Sequence, residues 1–441
     1  MSIIPNLPND THNNPFCATV SDMSQPSGFF NLGIAPSILG ILEKLQFVTP
    51  TPIQAKSIPP GMEGKDLIGI AQTGTGKTLA FGVPMIQAAL AGKRGLIVLP
   101  TRELAFQVHE TIEKIGGPLR VRAVNIIGGE PIRRQILQLQ KNPQIVIGTP
   151  GRIIDHLEQK TLSLASIGVL VLDEADRMLD MGFAPQLKRI LSAVPRERQT
   201  MLFSATMPDD IFAIARGHMK LPVRIEVAPP GTAAENVTHE LFFVDRYDKP
   251  RLLEKVLTEY RGSVLVFSRT KHGARKIARD VRVLGHTAAE IHSNRSLGQR
   301  RDALEGFKNG RYRILVATDI AARGIDVKGI ELVLNYDLPT NAEDYVHRIG
   351  RTARAGARGH AISFATPDQR GDVRGIERLI RGTLPLSRLP ELPPARASVF
   401  ERPAGPPPRR RFGGGAQGGR PGFRPRSRFH HGNNFNRGPR R

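Results

Sequence analysis

The chain has 441 residues, with 63 Lys plus Arg against 40 Asp plus Glu, a net charge of +23, and one cysteine, Cys17. A single cysteine excludes an internal disulfide or a cysteine-rich metal site. No apolar run nears the ~18 residues of a spanning helix, so no membrane partner is expected. The positive charge is silent about fold but favours a polyanionic partner, nucleic acid first.

Residues 1–24 are rich in Asn, Pro, Ser and Thr and read as a disordered N-terminal tail. They contain no Lys or Arg, which argues against a secretory or organellar leader and for a cytoplasmic location. Residues 25–228 alternate short β-type runs with helical patterns. The runs are Asp66–Ile70, Gly95–Leu99, Val121–Ile126, Gln144–Ile147, Val169–Leu172, Thr200–Phe203 and Arg224–Val227. Several are apolar throughout, as parallel strands buried on both faces are. Helical stretches such as Pro36–Leu45, Arg102–Ile115 and Pro131–Gln140 lie between them.

Residues 229–238 read as a linker, Pro/Gly/Ala-rich at their start. Alternation resumes over 239–382, with strands expected at Glu240–Val244, Val264–Phe267, Thr287–Ile291, Ile314–Ala317, Leu332–Asn335 and Ala361–Phe364. The expected fold class is α/β, two tandem doubly wound parallel-sheet domains with a cleft between them. Residues 383–441 hold 13 Arg against two Glu, with dense Gly and Pro and interspersed Phe. They read as a disordered basic tail whose Arg and Phe neutralise phosphates and stack on bases, a solubilising tail being the plainer alternative.

Ala71-Gln72-Thr73-Gly74-Thr75-Gly76-Lys77-Thr78 follows an expected strand and opens a helical pattern, the context of a phosphate loop. Its glycines let backbone N–H groups converge on phosphate oxygens at a helix start. Lys77 reaches the β- and γ-phosphates and Thr78 offers a hydroxyl to Mg²⁺. The usual first glycine of the pattern is Ala71 here. Asp173 and Glu174 close the apolar run Val169–Leu172, where ligands bind in open α/β sheets. Asp173 is the candidate Mg²⁺ ligand and Glu174 the candidate base for an attacking water; helix capping is the plainer role for both. Arg351 and Arg354, in the second domain, are candidate arginine fingers, worth roughly 10³–10⁵ in rate.

These motifs, in this order, resemble the DEAD-box ATP-dependent RNA helicases, Asp173-Glu174-Ala175-Asp176 being the eponymous box. The likeness runs from about Phe29 to residue 365, and the wording around Ala317–Val327 and Tyr345–Gly356 is similar to the bacterial RhlE-type branch. It implies two RecA-like domains, ATP and Mg²⁺ as cofactors, and RNA, as single strand and short duplex, as the partner. Ribosomal particles or RNA-decay machinery are compatible further partners, and a monomer is expected. The resemblance implies that Phe29 stacks on adenine and Gln54 reads its edge, with Gln46 standing where the family usually has Gly. It makes Ser204 and Thr206 coupling residues. It makes Arg102, Gly128, Gly129, Thr149, Gly151, Arg152 and Thr318 RNA contacts, and places Asp326 on the ribose. Asp302 stands where the family often has Arg, so one RNA contact of the family pattern is missing here, with Arg300 and Arg301 as candidate replacements. The implied activity is RNA-stimulated ATP hydrolysis coupled to local unwinding or remodelling of short duplexes or RNA–protein complexes. The alternative is a non-catalytic RNA chaperone acting through the basic tail.

Overall fold

Alternate residues of the apolar strands enter two different cores. Val169 and Val171 pack on one face of the first sheet and Leu170 and Leu172 on the other. In the second sheet Ile314 and Val316 face one core and Leu315 and Ala317 another. A strand buried on both faces has no polar side to show, which is why these runs lack alternation. The computed structural model describes residues 28–72, 74–227, 237–319, 327, 329–352 and 359–394.

Lobe one runs α1 (Pro36–Lys44), α2 (Pro52–Met62), β1 (Leu67–Ile70), α3 (Lys77–Leu90), β2 (Arg94–Val98), α4 (Arg102–Gly116), β3 (Ala123–Ile126) and α5 (Ile132–Leu139). It continues β4 (Ile145–Gly148), α6 (Pro150–Glu158), β5 (Ile167–Leu172), α7 (Ala175–Asp180), α8 (Ala184–Ala193), β6 (Gln199–Ser204), α9 (Asp209–His218) and β7 (Val223–Glu226). Its seven strands are ordered β3-β4-β2-β5-β6-β1-β7, and all pair in parallel. The order β5-β6-β1 makes neighbours of three strand ends that are distant in sequence.

Lobe two runs β8 (Val237–Phe243), α10 (Lys249–Glu259), β9 (Val264–Phe267), α11 (Lys271–Val283), β10 (Ala288–Ile291) and α12 (Leu297–Lys308). It continues β11 (Ile314–Ala317), β12 (Leu332–Asn335), α13 (Ala342–Ile349), β13 (Gly359–Ala365) and α14 (Arg370–Ile380). Its six parallel strands are ordered β10-β11-β9-β12-β13-β8. Helix starts are capped where the sequence offers a hydroxyl: Thr101 accepts from Leu104 N–H, Thr270 from Gly273 and Ser296 from Gln299.

Two segments differ from expectation. Val237 and Thr238, placed in the linker, begin β8. Residues 383–394, placed in the tail, lie along lobe two instead. Leu241 N–H donates to Pro385 O and Ser387 N–H to Leu241 O, Leu384 is buried, and Arg251 donates to the carbonyls of Leu392 and Pro393. Unpaired backbone groups of edge strand β8 reward any chain laid beside them, a signal that composition does not carry. The N-terminal tail and residues 395–441 lie outside the described residues. Among the described residues no helix is long and apolar enough to cross a membrane.

The lobes touch through α4 and α12. Arg300 Nη2 lies 2.9 Å from Glu103 Oε1, the Arg301 guanidinium sits 4.9 Å from the Phe106 ring centre, and Leu297 packs against the first lobe's core.

Candidate functional site

The phosphate loop leaves β1, with Gly74 and Gly76 at φ 87° and 91°. Both values lie in the left-handed region that glycine tolerates. Gly76 is further constrained, because a Cβ there would overlap Gln54 Nε2. That amide donates to Gly76 O at 3.0 Å, and Gln54 Oε1 accepts from Thr51 N–H at 2.9 Å. Gln54 therefore ties the start of α2 to the phosphate loop. Phe29 is buried in the first core, in a short turn (Phe29–Leu32) packed against α2. Gln46 takes φ 61°, so the chain keeps the left-handed turn that glycine usually provides and bears its strain. Lys77 is buried and its Nζ donates to Ala71 O at 3.0 Å. Thr75 Oγ1 donates to Gln72 O, and Gln72 Nε2 is buried without a hydrogen-bond partner. Thr78 stands half-buried in the first turn of α3. Thr73 lies outside the described residues.

Asp173 and Glu174 follow β5 and are both buried. Asp173 Oδ1 accepts from Glu174 N–H at 2.9 Å. Burial, the largest cause, pushes the Asp173 carboxyl up to about 6, against the pull of nearby Lys77. Glu174 adopts φ 52°, left-handed for a side-chain-bearing residue. Such strain of order 1–3 kcal/mol collects at functional sites. Asp176 joins this box to the end of β6. Its Oδ2 accepts from Ala205 N–H, Thr206 N–H and the Thr206 hydroxyl at 2.9–3.1 Å. Its own N–H donates to Ser204 Oγ at 3.2 Å, and Ser204 O accepts from Ala71 N–H at 3.0 Å. Phosphate loop, carboxylates and the Ser204–Thr206 loop thus form one hydrogen-bonded unit.

From lobe two, α13 carries Arg348 and is followed by Arg351. Arg348 grips Asp319 with Nε–Oδ1 at 2.5 Å and Nη2–Oδ2 at 2.7 Å, and also donates to Asn335 Oδ1 and Asp337 O. Arg351 is buried and its Nε donates to His347 O. One small cavity is lined by Arg177 of lobe one and by Asp319, Asp344, His347, Arg348 and Arg351 of lobe two. Second-lobe guanidinium groups therefore face the helix that carries the box. Thr318 leaves β11 with its N–H on Ile291 O. Arg354 and Asp326 lie outside the described residues.

A second constellation forms at the ends of β3 and β4. Gly129 has φ 84°, and a Cβ there would overlap the Arg102 guanidinium, which lies across Gly128 and Gly129. Thr149 is buried and precedes α6, and Gly151 has open space around it. Arg152 Nη1 donates to Glu130 O and Gln135 Oε1, each at 3.0 Å. Fully buried Gln135 is the hub: its Nε2 donates to Ile127 O at 2.8 Å, and its Oε1 also meets His156 Nε2 at 3.1 Å. That geometry assigns the proton to Nε2, and burial holds His156 below its ordinary range. Gln135, His156 and Arg177 carry no motif signal of their own, and Arg300, expected on RNA, pairs instead with Glu103 of lobe one. Arg300 points across to lobe one, and Asp302 pairs with Arg311 at 2.6 Å.

Parallel-sheet lobes, a phosphate loop and strand-end carboxylates joined through β6 define a two-lobed P-loop ATPase. A family profile described as DEAD/DEAH box helicase matches residues 51–214, and one described as helicase conserved C-terminal domain matches 248–356. The DEAD-box ATP-dependent RNA helicase CshA of Geobacillus kaustophilus is 44% identical over 368 residues, covering 82% of this chain and 79% of that protein. The ATP-dependent rRNA helicase RRP3 of Debaryomyces hansenii is 43% identical, covering 77% of this chain and 72% of its own. Among solved structures, S. cerevisiae Dbp5 bound to RNA and ADP BeF3 superposes with TM-score 0.73 at 29% identity, over 82% of this chain and 95% of that one. Mss116p bound to ssRNA and AMP-PNP gives TM-score 0.75 at 28% identity, over 81% and 78%. The chain belongs to the DEAD-box family of ATP-dependent RNA helicases, RNA-stimulated ATPases that remodel RNA.

Proposed function

We propose that ATP is hydrolysed where the ends of β1, β5 and β6 meet the α13 face of lobe two, and that RNA lies along the Arg102–Gly129–Arg152 constellation. The carrying observation is the cavity shared by Arg177 and Arg351, which brings second-lobe guanidinium groups to the box helix. Lys77 leaves Ala71 O for the terminal phosphates, and backbone N–H groups of Gly74–Thr78 converge on them. Gln54 senses the base and reports to the loop through Gly76 O, with Phe29 supporting the adenine side from beneath. Glu174 orients a water and takes its proton. Arg351, with Arg354, stabilises charge on the transferred group, and Asp326 holds the ribose. Asp176 transmits the state of the box to Ser204 and Thr206.

The donor set fits a hard divalent cation. Among the described residues no three His, Cys, Asp or Glu are grouped to hold a metal, but Mg²⁺ needs only one or two protein oxygens beside substrate phosphates. Asp173, whose burial raises its pKa, and the Thr78 hydroxyl supply those oxygens. The ion's chemistry is to neutralise phosphate charge.

Backbone N–H groups and arginines at Gly128, Gly129, Thr149, Gly151 and Arg152 suit phosphate and sugar contacts, which carry no base sequence. Thr318 extends the path on lobe two. The functional units are taken as residues 25–228 and 239–382, with a basic RNA-binding tail beyond. The RhlE-type wording of 317–327 and 345–356 supports that branch, although the relatives quoted are CshA and RRP3 proteins. A cytoplasmic monomer acting on ribosomal particles or on RNA-decay machinery fits the family.

The test is Glu174→Gln. It keeps ATP and RNA binding and loses turnover by ~10² or more, the scale of general base catalysis. Hydrolysis at the wild-type rate would refute Glu174 as the base.

A further inference from the structure

Arg177 stands one turn after Glu174, on the same face of the chain, in the first turn of α7. Its Nη1 lies 3.3 Å from Glu174 Oε2, and the two side chains are only 1% and 5% exposed. The left-handed backbone of Glu174 frees its side chain from the helical direction of α7, so this ion pair sets where the carboxylate points. Arg177 is not satisfied by that contact. Among the described residues its buried Nε and Nη2 have no hydrogen-bond partner. Leaving buried donors unmade costs roughly 1–3 kcal/mol each, more for charged groups, so such a group calls for an explanation.

The surroundings offer one. The same guanidinium lines the cavity between the lobes, about 10 Å³ in volume, which admits at most one water. Two lobe-two carboxylates line it. Among the described residues these are Asp319, gripped through both oxygens by Arg348, and Asp344, in the first turn of α13. Among the described residues, His347, Arg348 and Arg351 also line the lobe-two side of the cavity. A fork with one arm on the base and the other toward the opposite lobe makes placement of the base depend on docking.

We propose that Arg177 is a positioning residue that orients Glu174 with one arm and engages lobe two through Asp344 with the other, directly or through one water. Base orientation is thereby completed only when lobe two arrives. This rests on Glu174 being the base, and it assigns Arg177 a role that acts on the chemistry through Glu174. A planar guanidinium serves both arms at once, and a lysine serves one.

The test uses the full chain and measures ATPase rate against ATP and against a single-stranded RNA, with melting temperature alongside. Arg177→Met loses about 10–100-fold in RNA-stimulated kcat, at or below the ~10² or more that loss of the base itself costs. KM for ATP and half-saturation by RNA stay within about threefold, which general loss of structure would not spare. Arg177→Lys recovers to within about tenfold of the wild-type kcat. If Arg177→Met does not fold, Arg177→Lys alone reads the same split, with kcat lowered and both half-saturations kept. In the double variant with Asp344→Asn, kcat falls no more than about threefold below Arg177→Met, because both changes cut one link. Wild-type kcat in Arg177→Met overturns the proposal, as do half-saturations that rise in step with the loss. Fully multiplicative effects remove the lobe-two arm. Glu174→Gln separates the premises. If it is inactive while Arg177→Met is normal, the base stands and the positioning role falls. If it is active, the base itself is misassigned.

Discussion

The Arg300–Glu103 contact joins the lobes by a buried ion pair, and its worth can be worked from its surroundings. The side chains are 10% and 8% exposed and 2.9 Å apart. Burial raises the Glu103 carboxyl above its ordinary range and lowers Arg300 below its own, and for each group this outweighs the attraction of its partner. Such a pair adds little net stability, but removing one member strands the other charge, at a cost of about 3–5 kcal/mol. Separated lobes let Glu103 return to water, so the cost falls on docking and not on folding. At 1.4 kcal/mol per decade, Arg300→Met should lower the docking constant by at least about 10². RNA-stimulated kcat/KM should fall by a similar factor with the melting temperature unchanged. Adding Glu103→Gln removes the stranded charge and should recover activity to within about tenfold. The sign with pH follows: Glu103 is held above its unperturbed value, so its charge is lost early as pH falls, and the Arg300→Met defect should shrink with acidification. Steady-state ATPase titrated with RNA, with dyes reporting lobe separation, reads this directly. A double variant as impaired as Arg300→Met, or a normal Arg300→Met, would refute the reasoning.

Three further outcomes are expected. Asp173, pushed up to about 6 from 3.8, adds no penalty below the lower value, a growing one between, and its full penalty above about pH 6. At 1.36 kcal/mol per unit that is about 3 kcal/mol at most, so Asp173→Asn should raise the nucleotide-free melting temperature at pH 8 and scarcely at pH 4, while abolishing turnover. Gly129→Ala places a side chain at φ 84° and displaces Arg102; RNA half-saturation should rise while KM for ATP holds. Gln135→Leu unmakes the bonds to Ile127, Arg152 and His156; weakened RNA stimulation at unchanged nucleotide affinity, seen in the same assay, marks its role as a hub.

Strands were legible because burial on two faces demands uninterrupted apolar runs. Val264–Phe267, Ile314–Ala317 and Leu332–Asn335 occur at the very residues expected. The glycine turn before α3 and the buried acids Asp173 and Glu174 after β5 stand where expected because both signals are local: a glycine turn before a helix, acids after an apolar run. Gln135 and Arg177 were not, nor was the pairing of Glu103 with Arg300. Each sits on a helix where a polar residue is ordinary, and its meaning comes from what another element or the other lobe brings to it. Residues 383–394 misled for a related reason. Their Pro and Leu look like part of a disordered tail, but the exposed edge of β8 gives them a place.

The Lys77 ammonium rests on a carbonyl of its own loop, six residues back. On the proposed role of Lys77, a phosphate is not captured by an idle charge but exchanged against this internal competitor. When the product leaves, Ala71 reclaims the ammonium without waiting for solvent. The loop thus carries a built-in means of eviction, and each cycle resets by ligand exchange within the chain.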